Sequence, residues 1–136
     1  MAAEVLIKLS VITGDQHLRA LSKILLHSMK DIMIQFPTGA GQWLCALDMY
    51  LDEPKEIVIV GERNEELVKA LFAEIFKYFL PHRVFLGLSS DSLDVGIPLF
   101  EGRGDATKDA TAYVCRNYVC NIPTNIPGEL AKQLLE

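Results

Sequence analysis

The sequence predicts a mixed α/β protein, in which a helical segment precedes a β-α-β unit, a β-hairpin and a C-terminal helix. Three observations support this prediction. Apolar residues recur at helical spacing up to residue 51, four consecutive β-favouring residues follow at 57–60, and two short apolar segments flank Arg116-Asn117. The four expected strands form one mixed sheet, with the first two strands parallel and an antiparallel pair at the hairpin.

Three helices are expected within residues 1–53. The first covers residues 2–12. The second begins with Asp15 as its N-cap and ends at Pro37, because the residue before a proline disfavours helical angles. The third covers residues 43–51, and short connections between the three indicate antiparallel neighbours.

The pattern changes to a β-α-β unit after Pro54. The apolar run at 57–60 does not alternate with polar residues, which is typical of a strand covered on both faces. Asn64 is the expected N-cap of a helix that Pro81 ends, and residues 84–86 form the next strand. The two strands should therefore be parallel with a right-handed crossover.

The remainder of the chain combines a long loop with a final helix. Residues 89–109 show no period, and a loop of this length is usually functional, disordered or packed on another part of the protein. The final helix is expected over residues 129–136.

The predicted hairpin carries Cys115 and Cys120, the pair of side chains best suited to chemistry. A two-residue turn would place Cys115 opposite Tyr118 and Cys120 opposite Tyr113, with all four on one face. The cysteines are then diagonal neighbours with Cα atoms about 7–8 Å apart, farther than a disulfide spans. A redox disulfide, half of a zinc site and buried free thiols are the alternatives, and the pattern favours buried thiols.

A second candidate site lies on the third helix. Trp43, Asp48 and Tyr50 could line a pocket there, although aromatic residues at a helix end are more often packing residues. His17 and His27 are expected at the surface. No metal site, cofactor site or catalytic motif is predicted.

Gly61 lies between a predicted strand and a predicted helix, a pattern that is found in phosphate-binding sites. The dinucleotide fingerprint needs three glycines, however, and acidic residues crowd the start of the following helix, where they would repel a phosphate. Gly61 is therefore expected only to make the turn.

Composition excludes several classes of protein. The 136 residues carry a net charge of −5, which argues against a nucleic-acid partner. No apolar stretch reaches the roughly 18–20 residues of a membrane helix. Three cysteines do not make a disulfide framework, so a reducing cytoplasm is the expected location. The mean hydropathy of +0.22 is high for a small soluble chain.

Four motifs follow one another along the chain. They are Leu9-x-x-Ile12-Thr13-Gly14-Asp15, Ala46-Leu47-Asp48-x-Tyr50-Leu51, Pro54-x-Glu56-Ile57-Val58-Ile59-Val60-Gly61 and Ala112-Tyr113-Val114-Cys115-Arg116-Asn117-Tyr118-x-Cys120. Together they resemble the C-terminal region of the large thioredoxin domain-containing proteins of the spermatogenesis-associated type. Such proteins carry an N-terminal thioredoxin-like domain, followed by an α/α-barrel similar to sugar epimerases and six-hairpin glycosidases.

The resemblance implies that residues 1–53 are the last helices of the barrel and residues 54–136 a small α/β tail. It implies a non-catalytic fragment with a structural or interaction role. The alternatives are a contribution to a sugar-processing barrel site and a thiol module using Cys115 and Cys120. Apolar faces without their partner helices would explain the high hydropathy, so the expected partners are a second copy or the missing N-terminal part.

One departure from the family concerns the final helix. Family members tend to have an acidic residue just before the proline of that helix, where this chain has Ile126. Asn125 or Thr124 is therefore expected to serve as the cap instead.

Overall fold

The computed structural model describes residues 2–62, 65–89, 96–100, 110–117 and 119–136. The chain divides into two compact units, one ending at Pro54 and the other beginning at Lys55. The helices are α1 (Ala2–Thr13), α2 (Gln16–Ser28), α3 (Lys30–Gln35), α4 (Gly41–Leu51), α5 (Glu66–Phe76) and α6 (Pro127–Leu135), and the strands are β1 (Lys55–Val60), β2 (Arg83–Leu88), β3 (Thr111–Arg116) and β4 (Val119–Cys120).

The first unit consists of α1 to α4. Its apolar centre is formed by Ala3, Leu26 and Ala46, one residue from each of three helices. The predicted cap of α2 is confirmed, because the Asp15 carboxylate accepts a hydrogen bond from the backbone N–H of His17 at 2.8 Å.

The single helix expected before Pro37 is wrong, because the structure has two helices, α2 and α3, that meet at Met29. The backbone N–H of Met29 bonds the Leu26 carbonyl three residues back, which tightens the last turn of α2. The Ser28 hydroxyl donates to the Leu25 carbonyl at 2.7 Å and competes with the regular helix pattern. The apolar spacing continues across this break, so periodicity alone does not reveal it.

The second unit contains one four-stranded sheet in the order β2-β1-β3-β4. The predicted fold class is confirmed, because β1 is parallel to β2 and antiparallel to β3, and β3 and β4 form the antiparallel hairpin. All six residues of the central strand β1 are buried. The right-handed crossover stays a prediction.

One face of the sheet packs against the last two helices. Ile57 and Ile59 of β1 form a buried cluster with Leu71 of α5 and with Leu130 and Leu134 of α6. Alternate strand residues share a face, so this packing positions the neighbouring side chains of β2 and β3 as well.

The helix starts in this unit differ from the expected ones. Asn64 lies outside the described residues, and α5 begins at Glu66 after Glu65, whose side chain makes no cap hydrogen bond. The expected cap of α6 at Asn125 or Thr124 is wrong, because Ile126 is the cap residue and the helix start has no side-chain cap hydrogen bond. The Thr124 hydroxyl instead accepts a hydrogen bond from the N–H of Ile126, just before the helix, at 3.1 Å.

The predicted loop at 89–109 lies mostly outside the described residues. Within it, Pro98–Phe100 form one turn of 3₁₀-helix, and the Leu99 side chain is fully buried. No helix in the described part of the chain is long and apolar enough to cross a membrane.

Candidate functional site

The hairpin brings Cys115 and Cys120 together in a way that corrects the expected pairing. Cys115 lies directly opposite Cys120, and Arg116 opposite Val119, so the turn is one residue later than expected. The left-handed backbone of Asn117, with φ of 51°, makes that turn.

The new register shifts every cross-strand pair by two residues. Because side chains alternate with a period of two, this shift keeps Tyr113, Cys115 and Cys120 on one face, as expected. Tyr118 lies outside the described residues. The prediction that the cysteines are diagonal neighbours is therefore wrong, although their assignment to one face is confirmed.

The structure also corrects the prediction of buried free thiols, because Cys115 and Cys120 form a disulfide. The N–H of Asn121 donates to the Val114 carbonyl at 2.9 Å, so residues 114 and 121 form a hydrogen-bonded pair. The next pair is then non-hydrogen-bonded, the kind in which facing side chains are closest, and the two cysteine Cα atoms lie 3.9 Å apart.

The two sulfur-bearing residues differ in burial. Cys115 is 2% exposed, whereas Cys120 lies on the exposed edge strand β4. A small thiol would therefore reach the disulfide from the Cys120 side. Cys45, the cysteine outside this pair, keeps a free thiol and is exposed.

A polar cavity of about 310 Å³ lies beside the hairpin. Lys55 of β1 and Arg116 of β3, which lie just beyond the last residue pair between the two strands, line it together with Gln133 of α6. The buried Lys55 ammonium donates to the carbonyls of Gln133, at 3.2 Å, and Leu134. The carboxamide oxygen of Gln133 is buried and has no hydrogen-bond partner among the described residues.

The electrostatics of this cavity centre on the buried lysine. Burial lowers the pKa of Lys55, and the positive charge of Arg116 lowers it further, while Glu136 opposes the shift. The ammonium satisfies carbonyls at the C-terminus of α6, where a positive charge is favoured. The lysine therefore serves as a cap for the C-terminal end of α6.

Trp43, Asp48 and Tyr50, the second predicted site, all lie on α4. Trp43 and Tyr50 lie seven residues apart on one side of α4, and both pack against the apolar centre of the first unit. The Arg19 guanidinium stacks on the Tyr50 ring at 4.9 Å. Asp48 is exposed and points to another side of the helix. A sugar-binding role for these residues stays a prediction.

Three further residues considered in the sequence are His17, His27 and Gly61. His17 and His27 are both exposed, as predicted. A Cβ on Gly61 would lie 2.8 Å from side-chain atoms of Ala110 and of Val68. The absence of a side chain at Gly61 therefore allows Ala110 and Val68 to pack directly against its backbone.

An apolar cavity of about 700 Å³ adjoins Gly61 at the carboxyl ends of β1 and β2, where α/β proteins often bind ligands. Its walls include Val68 and Phe72, and at its rim the Ser89 hydroxyl donates to the Glu62 carboxylate at 3.2 Å. Lys69 also lines the cavity, but its ammonium already pairs with Glu66. The apolar walls and the Glu62 carboxylate next to Ser89 do not suit a phosphate. Among the described residues, no group of three or more His, Cys, Asp or Glu side chains could hold a metal ion.

Comparisons with known proteins match this chain to one segment of longer proteins. No family model and no solved structure matches it. The chain is 29% identical to spermatogenesis-associated protein 20 of Homo sapiens, over 98% of this chain and 17% of that protein. It is 26% identical to the proteins of the same name from Rattus norvegicus and Mus musculus, over the same shares.

The thioredoxin and barrel domains implied by the resemblance stay predictions, as does the cytoplasmic location. The chain spans 17% of the length of the curated relatives it matches. It is therefore similar, over almost its whole length, to one segment of the much larger spermatogenesis-associated protein 20.

Proposed function

We propose that this chain is a non-catalytic structural segment of a larger protein and that its helical unit packs on the rest of that protein. The observation that carries the proposal is the number of large apolar side chains that the helices leave exposed. They are Val5, Leu9, Leu21, Ile24, Ile32, Ile34, Phe36, Leu44 and Leu51.

Exposure on this scale is unusual for a surface that meets only water. Ile34 is 67% and Leu51 74% exposed, whereas the large apolar side chains that the same unit buries are Ile7, Leu26, Met33 and Met49. Exposed apolar side chains that lie next to one another mark interaction surfaces in soluble proteins. Val5 with Leu9 and Leu21 with Ile24 are such neighbours, at i,i+4 and i,i+3 spacing on their helices. The helical unit therefore has more apolar surface than it can bury by itself.

The remainder of the longer protein is the occupant that best fits this surface. The match covers almost all of this chain but a small part of its relatives, so most of their length lies outside it. A partner on the same polypeptide also binds at high effective concentration. The resemblance to an α/α-barrel supplies the expected chemistry, which is the apolar face of further helices.

Carbene footprinting with mass spectrometry tests this proposal on the isolated chain and on the intact longer protein. Ile24, Ile34 and Phe36 should be labelled in the isolated chain and protected in the longer protein. Ile126 provides a matched control, because it is 57% exposed and lies in the other unit. Equal labelling of Ile34 in both proteins would exclude the packing role, and concentration-dependent protection in the isolated chain would instead indicate self-association.

A second candidate function is thiol exchange at the hairpin, favoured by the disulfide between buried Cys115 and exposed Cys120. The thiolate of a small thiol would attack the Cys120 sulfur, forming a mixed disulfide and releasing the Cys115 thiolate, which takes up a proton. A second thiolate would then attack the mixed disulfide, so two thiols are oxidised to one disulfide as the hairpin is reduced to two thiols.

Equilibration with glutathione redox buffers, followed by alkylation and mass spectrometry, tests this second function. An exchanging site should reach a mixed state within the range of cellular glutathione potentials, about −180 to −320 mV. A disulfide that stays oxidised throughout this range would indicate a purely structural role.

A further inference from the structure

The two edges of the sheet are built differently. At one edge, β4 has two residues, is tied to β3 by the disulfide and is soon followed by Pro123. At the other edge, β2 has six residues, Arg83–Leu88, with neither lysine nor proline among them. Short edge strands, charged side chains (lysine above all) and proline are the usual means of preventing further strand pairing, and of these β2 has only the charge of Arg83 at its first residue. The β4 edge is therefore protected, whereas no strand in the described part of the chain pairs with the outer edge of β2.

The hydrogen bonds between β1 and β2 show which backbone groups of β2 point outward. The N–H of Lys55 donates to the His82 carbonyl, and that of Gly61 to the Leu88 carbonyl, both at 2.9 Å. Because the bonding direction alternates along a strand, the even-numbered residues of β2 bond to β1. The N–H and C=O groups of Arg83, Phe85 and Gly87 therefore point away from β1, and no strand pairs with them within the described ranges.

An aromatic cluster lies next to these outward-facing groups. The Phe85 ring makes edge contacts with Phe72, at 6.2 Å between centroids, and with Phe76, at 5.5 Å. The Arg83 guanidinium lies 5.0 Å from the centre of the Phe76 ring and donates to the Ile75 carbonyl at 3.1 Å. Despite these contacts, Phe85 remains 38% and Phe76 56% exposed.

This cluster is held in place before any partner arrives. The rings contact one another, and the guanidinium is fixed both by stacking and by its bond to a helix carbonyl. Ordered side chains lose little freedom when a partner covers them, so their burial contributes more of its free energy to binding. The β2 edge thus combines a preorganised apolar surface with three backbone positions that no described strand pairs with.

We propose that an extended segment from the rest of the longer protein pairs with β2 as a fifth strand of the sheet and covers Phe76 and Phe85. Main-chain hydrogen bonds to Arg83, Phe85 and Gly87 would supply the pairing, and alternate apolar side chains of the segment would contact the two rings. The inference rests on the proposed function. It adds a second surface that contacts the rest of the longer protein, and this surface lies on the unit that begins at Lys55.

Amide hydrogen exchange measured by NMR tests this pairing without any substitution. In the isolated chain, the amides of Val84, Leu86 and Leu88 should be protected, and those of Phe85 and Gly87 should exchange rapidly. In the intact longer protein, amide exchange at Phe85 and Gly87 should be at least about tenfold slower than in the isolated chain. The amides of Val84, Leu86 and Leu88 should stay protected.

A charged substitution at the edge provides the second test. In the longer protein, Phe85→Lys should restore rapid exchange at Gly87, because edge lysines oppose strand pairing. Phe79→Lys is the matched control, since Phe79 is 91% exposed and lies outside the sheet, and it should leave the exchange unchanged. Continued protection of Val84 and Leu88 would show that the sheet itself is intact in the variant.

Two results would overturn the inference. Rapid exchange at Phe85 and Gly87 in the longer protein, with the helical unit protected in footprinting, would reject the edge pairing and leave the proposed function standing. Protection of the same amides in the isolated chain that rises with concentration would identify a second copy as the occupant. Failure of both the footprinting and the exchange experiment would reject the two proposals together.

Discussion

Cys115 and Cys120 face each other across the last two strands of the sheet as a disulfide-bonded pair with Cα atoms 3.9 Å apart. One member is buried on β3 and the other lies on the exposed two-residue strand β4. So short a strand forms few ladder bonds of its own. The disulfide is therefore the main covalent restraint on this edge of the sheet.

Replacing Cys120 by serine should destabilise the second unit by about 2 kcal/mol. The estimate is the chain entropy of closing a loop of about six residues, which the disulfide removes from the unfolded state. Urea unfolding of the oxidised protein and of Cys120→Ser measures the difference. Wild-type protein in excess dithiothreitol should match the variant.

The matched control for this experiment is Cys45→Ser. Cys45 is exposed and has a free thiol, so its replacement should change stability by less than about 0.5 kcal/mol. Equal unfolding midpoints for wild type and Cys120→Ser would contradict a stabilising role for the disulfide.

Gly61→Ala should destabilise the second unit by about 1–3 kcal/mol, because the added methyl group would overlap neighbouring atoms. A Cβ at this position would lie 2.8 Å from side-chain atoms of Ala110 and of Val68. Gly128→Ala is the control, since nothing lies within 4 Å of a Cβ there, and it should be neutral or stabilising. Thermal unfolding followed by circular dichroism compares the two variants, and similar midpoints would contradict the packing argument.

Local patterns in the sequence were sufficient to predict the fold class. The apolar run at 57–60 indicates a covered strand because a strand exposed on one face would alternate, and the structure buries all of β1. The cap at Asp15 depends only on its own carboxylate and an N–H two residues later. Features of this kind depend on residues close together in the chain.

Features that depend on tertiary geometry could not be predicted in this way. The disulfide depends on a turn that starts one residue later than expected, and a shift of two in the pairing leaves the polar and apolar faces unchanged. Lys55 caps carbonyls 78 and 79 residues away, which no local pattern signals. The position of β2 at the edge of the described sheet depends on β3 pairing with the other side of β1, which involves residues more than 50 positions apart.

Lys55→Met should lower the free energy of unfolding by about 1–3 kcal/mol, because two buried carbonyls at the end of α6 would lose their hydrogen-bond donor. The apolar stem is retained by methionine, so the variant removes the ammonium with little change in packing. Lys132→Met, on the same helix, removes an exposed ion pair with Glu129 and should cost less than about 0.5 kcal/mol. If urea unfolding shows the same loss of stability for both variants, the buried Lys55 hydrogen bonds stabilise the fold no more than the exposed Lys132 ion pair does.

Glu74 should make the stability of the second unit depend on pH in the acid range. Hydrogen bonds from Lys77, at 2.5 Å, and from the Tyr78 hydroxyl, at 3.1 Å, outweigh desolvation and lower the pKa of this carboxyl from its ordinary 4.5. A carboxyl with a lowered pKa in the folded state stabilises folding above its ordinary pKa. This contribution is lost as the pH falls through the lower, folded-state value.

Glu74→Gln should therefore be less stable than wild type at pH 7, and the difference should shrink as the pH falls from 4.5 toward 3. Urea unfolding at several pH values measures it. Glu66→Gln is the comparison on the same helix, because its ion pair with Lys69 is exposed and should contribute less at pH 7. A difference between wild type and Glu74→Gln that stays constant from pH 7 to pH 3 would show that the charge of Glu74 does not stabilise the fold. The side chain would then act through its shape and neutral hydrogen bonds alone.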